Sequence, residues 1–288
     1  MAFDKLGTDA TKVAPKVEDF FKNLRDMELI PGLKVGVWGP PEVGKTFFIG
    51  TCPEPIYYID TEFGGKPVYK NWFPDKDIRS MECRVIGKDP TQVDAEATFN
   101  KVEEAIFSLV NSKPTQGTVA IDSMSDIYGW MNEWVEQTTP KVKSKTSGED
   151  FMMRTEWGKR NSRYRFMVFQ LISLPINIVF TAQPKEEYKG GKGTGHFEGR
   201  WLEQHDHWVD VVLKMEKWDS TPIKYYSTIE KCRMHRAPGV RIEDCTYPLL
   251  LRTLDDKFGL KITGQDYTKI DEQVKFYQTL AQSKLKVK

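Results

Sequence analysis

Leu33-Lys34-Val35-Gly36-Val37-Trp38 runs directly into Gly39-Pro40-Pro41-Glu42-Val43-Gly44-Lys45-Thr46, with Phe47-Phe48-Ile49 behind it. The first six residues read as a buried strand. The next eight match G-x-x-x-x-G-K-[ST], and Thr46 to Ile49 reads as the first turn of a helix. Such a loop wraps backbone N–H groups around the phosphates of a nucleotide. Gly39 and Gly44 allow backbone conformations that a Cβ would forbid, so that amides and the helix N-terminus converge on phosphate oxygens. Lys45 is expected to neutralise the β- and γ-phosphates and Thr46 to ligate magnesium, with Pro40, Pro41, Glu42, Val43 and Phe47 completing the lining. The plain alternative, a strand-to-helix turn with no ligand, does not call for the Gly-Lys-Thr ending.

Downstream, strand and helix patterns alternate, which implies an α/β fold with a mostly parallel sheet. Strands are expected at Pro55–Asp60, Cys83–Ile86, Thr118–Asp122 and Ile176–Thr181, and helices over Val93–Asn111, around Tyr128–Val135 and over Trp157–Ser173. Trp208–Met215 and Ile223–Glu230 read as a late antiparallel pair, because the turn Asp219-Ser220-Thr221-Pro222 is too short for a helical crossover. An amphipathic segment at Val17–Leu24 precedes the Pro31-Gly32 punctuation. The expected organisation is an N-terminal helical segment (1–30), a nucleotide-binding core (31–264) and a basic C-terminal helix (265–288). The N-terminal helix has two candidate resting places, its own core or a neighbouring subunit.

A phosphate loop shows binding, whereas hydrolysis needs a magnesium-orienting carboxylate and a group that orients water. Thr118-Val119-Ala120-Ile121-Asp122 places one Asp at the carboxyl end of a buried strand, the Walker B pattern. Capping of the next helix by Asp122 is the alternative, and Ser123 serves as a cap equally well. Glu62 follows another strand at the same sheet edge and is the candidate for orienting water.

These segments together resemble the RecA/RadA superfamily: the phosphate loop, Tyr58-Ile59-Asp60-Thr61-Glu62, Ala120-Ile121-Asp122-Ser123 and Phe180-Thr181-Ala182-Gln183. The resemblance is greatest to the short RecA-like ATPases of phages and archaeal viruses that serve DNA recombination and single-strand annealing. It implies a RecA-like P-loop NTPase core over roughly residues 30–235. By that resemblance ATP is the nucleotide, Mg2+ the cofactor, Asp122 the metal-orienting residue and Glu62 the activator of water. Gln183 would couple the γ-phosphate to a mobile loop, and Lys231 and Arg233 would reach into a neighbouring subunit's nucleotide as an arginine-finger-like pair. The ATP site would then lie between subunits of a homo-oligomer. Exposed basic residues on a strand end are the simpler reading of that pair. Tyr69 is a candidate for stacking on adenine.

After Gln183 the chain is glycine-rich and carries lysines without periodicity, which reads as a mobile loop. The family uses the corresponding loop to line a channel for single-stranded DNA. Lys185, Lys189, Lys192 and Arg200 would neutralise phosphates while Tyr188 or Phe197 stacks on bases, with no preference for sequence. A second basic stretch, Lys141 to Arg165, suits either another DNA loop or a solvated helix face. His205 and His207 read as an ordinary surface turn.

Composition narrows the rest. Of 288 residues 39% are hydrophobic and 29% charged, the balance of a globular chain, and the net charge of +1 gives no global pull towards nucleic acid. The four cysteines and four histidines lack the spacing of a zinc site. With no secretory segment and no apolar run of about 18 residues, a cytoplasmic protein with reduced thiols is expected, in the host cytoplasm if the source is viral. Three functions share these motifs. They are an ATPase acting in single-strand annealing or recombination with partners of that process, a ring helicase or packaging motor, and an ATP-gated switch that recruits a protein.

Overall fold

The computed structural model describes residues 22–23, 25, 27–89, 92–143, 150–151, 156–236 and 238–285. The chain divides into two compact units, Met1–Ile30 and Pro31–Lys288. The helix expected at Val17–Leu24 lies outside the described residues except for Lys22 and Asn23.

The second unit opens with β1 (Lys34–Trp38), α1 (Lys45–Gly50), β2 (Ile56–Asp60), α2 (Gly65–Trp72), β3 (Ile78–Glu82), α3 (Ala95–Ser112), β4 (Thr118–Asp122) and α4 (Met124–Thr138). A two-residue pair, β5 (Val142–Lys143) and β6 (Asp150–Phe151), leads to α5 (Trp157–Ile172) and β7 (Asn177–Ala182). The hairpin β8 (Pro184–Lys189) and β9 (Lys192–Gly199) follows, then α6 (His205–Trp208), β10 (Val211–Trp218), β11 (Lys224–Cys232), β12 (Val240–Glu243), α7 (Tyr247–Phe258) and α8 (Ile270–Leu285). Eight strands form one sheet in the order β12-β11-β10-β1-β7-β4-β2-β3. From β10 to β3 every pairing is parallel, while β11 and β12 run antiparallel.

The central strands are buried on both faces, and alternation sorts their side chains into two cores. Val35, Val37, Tyr58, Ala120 and Val179 pack with α1, α2, α7 and α8. Ile59, Val119, Ile121, Ile178 and Phe180 pack with α3, α4 and α5. Helix α3 starts where the Asp94 carboxylate accepts the Ala97 N–H at 2.9 Å, and α7 ends at Gly259 in the left-handed region at φ 65°, each the stop or start signal its residue type favours. Helix α8 closes the first core with Ile270, Val274 and Tyr277.

Two expectations need correction. The strand placed at Cys83–Ile86 is β3, several residues earlier, and Ile86 makes only an isolated bridge to Val93. As an edge strand β3 is half-exposed, so its residues carry little apolar signal while those after it do. The segment after Gln183 is a β-hairpin rather than an irregular loop. Gly190 and Gly191, at φ 60° and 78°, form its two-residue turn between the paired Lys189 and Lys192, the backbone that a tight hairpin requires.

Candidate active site

Parallel strands bring their carboxyl ends to one edge, and the phosphate loop lies there. Gly39 donates its N–H to Ala182 O at 3.2 Å and packs so closely on β10 that an added Cβ would sit 2.3 Å from Met215 O. Val43 is buried and pins the loop to the core, while Pro40, Pro41 and Glu42 are exposed. Glu42, at φ 64°, forms an ion pair with Lys217 at 3.5 Å. Gly44 takes φ 97°, and α1 begins immediately after it. The buried Lys45 ammonium lies inside the loop, donating to Gly39 O at 2.7 Å and Pro40 O at 2.8 Å. Burial lowers its pKa, with the Asp122 and Glu62 charges opposing. The Phe47 ring packs on Trp72 and Phe73, with centroids 5.2 and 5.1 Å away, so what Phe47 offers a phosphate is its backbone amide.

Asp122 closes β4 and is buried. One carboxylate oxygen accepts the Thr46 hydroxyl at 2.8 Å and the Tyr58 hydroxyl at 2.9 Å, and the other accepts the Thr181 hydroxyl. Burial raises its pKa, and these three donors work against that rise. Asp60, its partner in register on β2, is buried and raised by the same cause. The Thr46–Asp122 contact is a fair test of fit for magnesium. Both are hard oxygen donors at the phosphate loop, and such an ion takes its remaining ligands from phosphates and water rather than from a protein cage. Accordingly, among the described residues no three His, Cys, Asp or Glu side chains gather to hold a metal. Thr46 and Asp122 would hold the ion, which when bound neutralises charge on the β- and γ-phosphates.

Glu62 follows β2 at the same edge. Its Oε1 accepts the Ser123 hydroxyl at 2.9 Å and the Gln183 amide Nε2 at 3.0 Å. Gln183 is itself fixed by its backbone N–H, which donates to the Ser125 hydroxyl at 2.8 Å. Lys45, Thr46, Asp122, Glu62 and Gln183 are therefore one cluster, supplied by four adjacent strands. A carboxylate held this way can accept a proton from a water beside the phosphate loop.

Over residues 31–237 the sequence matches the family model described as the AAA domain. The chain belongs to the AAA domain family. No curated protein sequence matches it. Solved structures similar to this AAA domain include a KaiC-like protein of the hyperthermophilic archaeon Pyrococcus horikoshii OT3, at 13% identity over 74% of this chain and 85% of that one, TM-score 0.41. Another is the RadB recombinase, at 15% identity over 74% and 87%, TM-score 0.44. The phosphate loop, the Walker B strand and the parallel sheet that carries them make this AAA domain a P-loop ATPase.

Other expected residues lie elsewhere in the AAA domain. Lys231 and Arg233 are at the end of antiparallel β11, where Lys231 pairs with Val212 near the start of β10, so they sit at the sheet edge opposite their own phosphate loop. There Lys231 donates to Asp206 O and, at 3.0 Å, to Val209 O, and Arg233 donates to His207 O. Lys185 pairs with Glu198 and Lys189 with Glu187, both at 3.1 Å, while Lys192 and Arg200 are exposed. Lys185, Lys189, Lys192 and Arg200 stand against Glu186, Glu187 and Glu198, so the net charge from Lys, Arg and Glu over residues 184–200 is only +1.

Tyr69 is buried edge-on against Tyr58 at 4.8 Å and is not placed to stack on a base. In the second basic stretch Lys143, Lys145 and Arg154 lie outside the described side chains. Arg160 stacks on Tyr128 and Trp157, and Arg163 binds Glu103 at 2.5 Å while lying over Phe99 and Trp134. These two cations belong to the packing of α3, α4 and α5. His205 is fully buried rather than on the surface. It stacks on Trp201 at 4.5 Å and meets the Tyr164 hydroxyl at 3.0 Å, and burial holds its pKa down to about 3.

Sequence reasoning gave no role to Tyr58, Thr181 or Ser125, and gave Ser123 only that of a helix cap. The available signal was period two: Tyr58 lies two residues before Asp60, whose partner in register is Asp122, so the two share a sheet face.

Proposed function

We propose that this ATPase is magnesium-dependent, binds single-stranded DNA without sequence preference, and acts in recombination or annealing as a homo-oligomer. In this reading Lys45 and the loop amides hold the phosphates, and Thr46 and Asp122 hold the metal. Glu62 activates water, and Gln183 relays the state of the site to the hairpin. Lys231 and Arg233 serve the nucleotide of a neighbouring copy, a role for which their distance from their own loop is no obstacle. The observation that carries the reading is Gln183: its amide contacts Glu62 at 3.0 Å and the next residue begins the hairpin. A strand engaged by the hairpin and a nucleotide at the loop therefore act on one side chain. The hairpin offers Tyr188 and Phe197, 67% and 47% exposed, as stacking surfaces beside Lys192 and Arg200. Its ion pairs are open to solvent on one side, which leaves phosphates able to compete for the lysines.

The test is ATP turnover with no DNA, with single-stranded DNA and with duplex. Selective stimulation by single strands supports the reading, and unchanged turnover without binding refutes it. The charge balance of the hairpin favours one other reading, an ATP-gated switch whose hairpin meets a protein surface. Under that reading oligonucleotides fail to compete with the partner.

A further inference from the structure

Ser123 occupies the N-cap position of α4, with the extended backbone of a cap at φ −126° and ψ 157°. A serine there ordinarily turns its hydroxyl to the exposed N–H groups of the first turn. This one makes no capping bond. Its hydroxyl points across to the next strand and donates to Glu62 Oε1 at 2.9 Å, from a side chain that is wholly buried.

The surrounding bonds hold the donor and its target to each other. Thr61 donates its N–H to Asp122 O at 2.9 Å, Ser123 donates its N–H to the Thr61 hydroxyl at 2.6 Å, and that hydroxyl donates to Asp126 at 2.7 Å. The residue before Glu62 is thus fixed to the residue before Ser123. Gln183 reaches Oε1 from the hairpin side, so both donors converge on one oxygen. Among the described residues Oε2 accepts no hydrogen bond. A carboxylate gripped at one oxygen keeps the other aimed, and the buried donor sets the direction because it cannot move with the hairpin.

We infer that Ser123 is a positioning residue for ATP hydrolysis, its hydroxyl diverted from helix capping to orient the Glu62 carboxylate towards the attacking water. The inference rests on Glu62 as the group that activates water. Losing a hydrogen bond to a charged acceptor sets an expected fall in kcat of roughly 10- to 100-fold in Ser123→Ala. The KM for ATP should stay within about twofold, because the phosphate loop is untouched. Ser123→Thr keeps the hydroxyl on a backbone that suits a β-branched residue, and should recover most of the rate.

The experiment measures kcat and KM of the full chain and of Ser123→Ala, Ser123→Thr, Glu62→Gln and the Ser123→Ala/Glu62→Gln double variant, with circular dichroism showing each is folded. A kcat loss in Ser123→Ala that disappears in the Glu62→Gln background supports the inference, since the two residues then act as one unit. If Glu62→Gln collapses turnover while Ser123→Ala keeps it, or if the two losses add, the positioning role is overturned and the reading of Glu62 stands. If Glu62→Gln itself retains turnover, the reading of Glu62 falls and takes the inference with it.

Discussion

The two glycines of the phosphate loop are required for different reasons, and the difference is measurable. At Gly39 an ideal Cβ would lie 2.3 Å from Met215 O, 0.7 Å inside the 3.0 Å that real Cβ contacts keep, and 3.2 Å from Met215 C. The obstruction is backbone of β10, which is hydrogen-bonded on both sides by β1 and β11 and cannot rotate away. Overpacking of a tight site costs about 1–3 kcal/mol, and a rigid neighbour puts Gly39→Ala at the upper end, about 3 kcal/mol. At Gly44 a Cβ meets nothing within 4 Å, and the only penalty is φ 97°, about 1–2 kcal/mol for a residue with a side chain and less for Asn. Urea unfolding followed by tryptophan fluorescence should therefore rank stability as wild type, Gly44→Asn, Gly44→Ala and Gly39→Ala. Equilibrium ATP binding should fall in all three variants. A Gly39→Ala protein within about 0.5 kcal/mol of wild type would show that β10 does not press on the loop, and would refute the packing argument along with it.

Lys45→Ala removes the one cation held inside the loop and should weaken ATP binding by on the order of 100-fold in equilibrium dialysis; unchanged affinity would detach the ammonium from the phosphates. Glu62→Gln should lower kcat by about 10²–10⁴ with ATP affinity retained, read by single-turnover hydrolysis. Burial brings the Lys34 ammonium from 10.5 to about 8 in the folded chain, against the opposing Asp210 charge. Between those values the unfolded chain binds more protons, so the contribution of Lys34 to stability rises with pH through that window and is lost as pH falls through 8. The difference in unfolding free energy between wild type and Lys34→Met should shift towards wild type by about 3 kcal/mol from pH 7 to pH 10.5, at about 1.4 kcal/mol per pH unit of the window; a constant difference would refute the assignment. Lys189→Ala/Lys192→Ala should reduce the slope of log affinity for single-stranded DNA against log salt by about 1.4, and an unchanged slope would remove both lysines from the strand's path.

What could be read in the chain before its structure is what backbone chemistry and burial on both faces impose locally. Residues 118–122 are recognisable as a central strand because all five are buried, so Val119, Ala120 and Ile121 follow one another without a polar break, and the loop at 39–46 is recognisable because only glycine serves at two of its positions. Strand β3 obeys neither constraint. It covers the sheet with one half-exposed edge, and only the register Ile56 to Ile78 identifies it, a pairing that spans 22 residues and leaves no local trace. The hairpin did carry a local signal, a Gly-Gly pair at its turn, masked by the lysines on either side.

The site divides along the same line. Its named members announce themselves by position: a Gly-Lys-Thr at a helix start, an Asp at a strand end, a Glu after a strand. Their partners do not, because Tyr58, Ser123 and Thr181 act across strands that are adjacent in space and about 60 residues apart in the chain. Ser123 takes the N-cap position that the sequence offers it, but its hydroxyl makes no capping bond and turns to Glu62, because β2 and β4 bring Thr61 and Asp122 into contact. The same limit explains the hairpin's charge. Counting Lys185, Lys189 and Lys192 marks a basic loop, but antiparallel pairing lays Glu198 beside Lys185, and the field that a phosphate meets is set by that pairing. Phosphate chemistry in this chain is therefore written in single residues, whereas its control is written in pairs, and pairs become visible only when the sheet has formed.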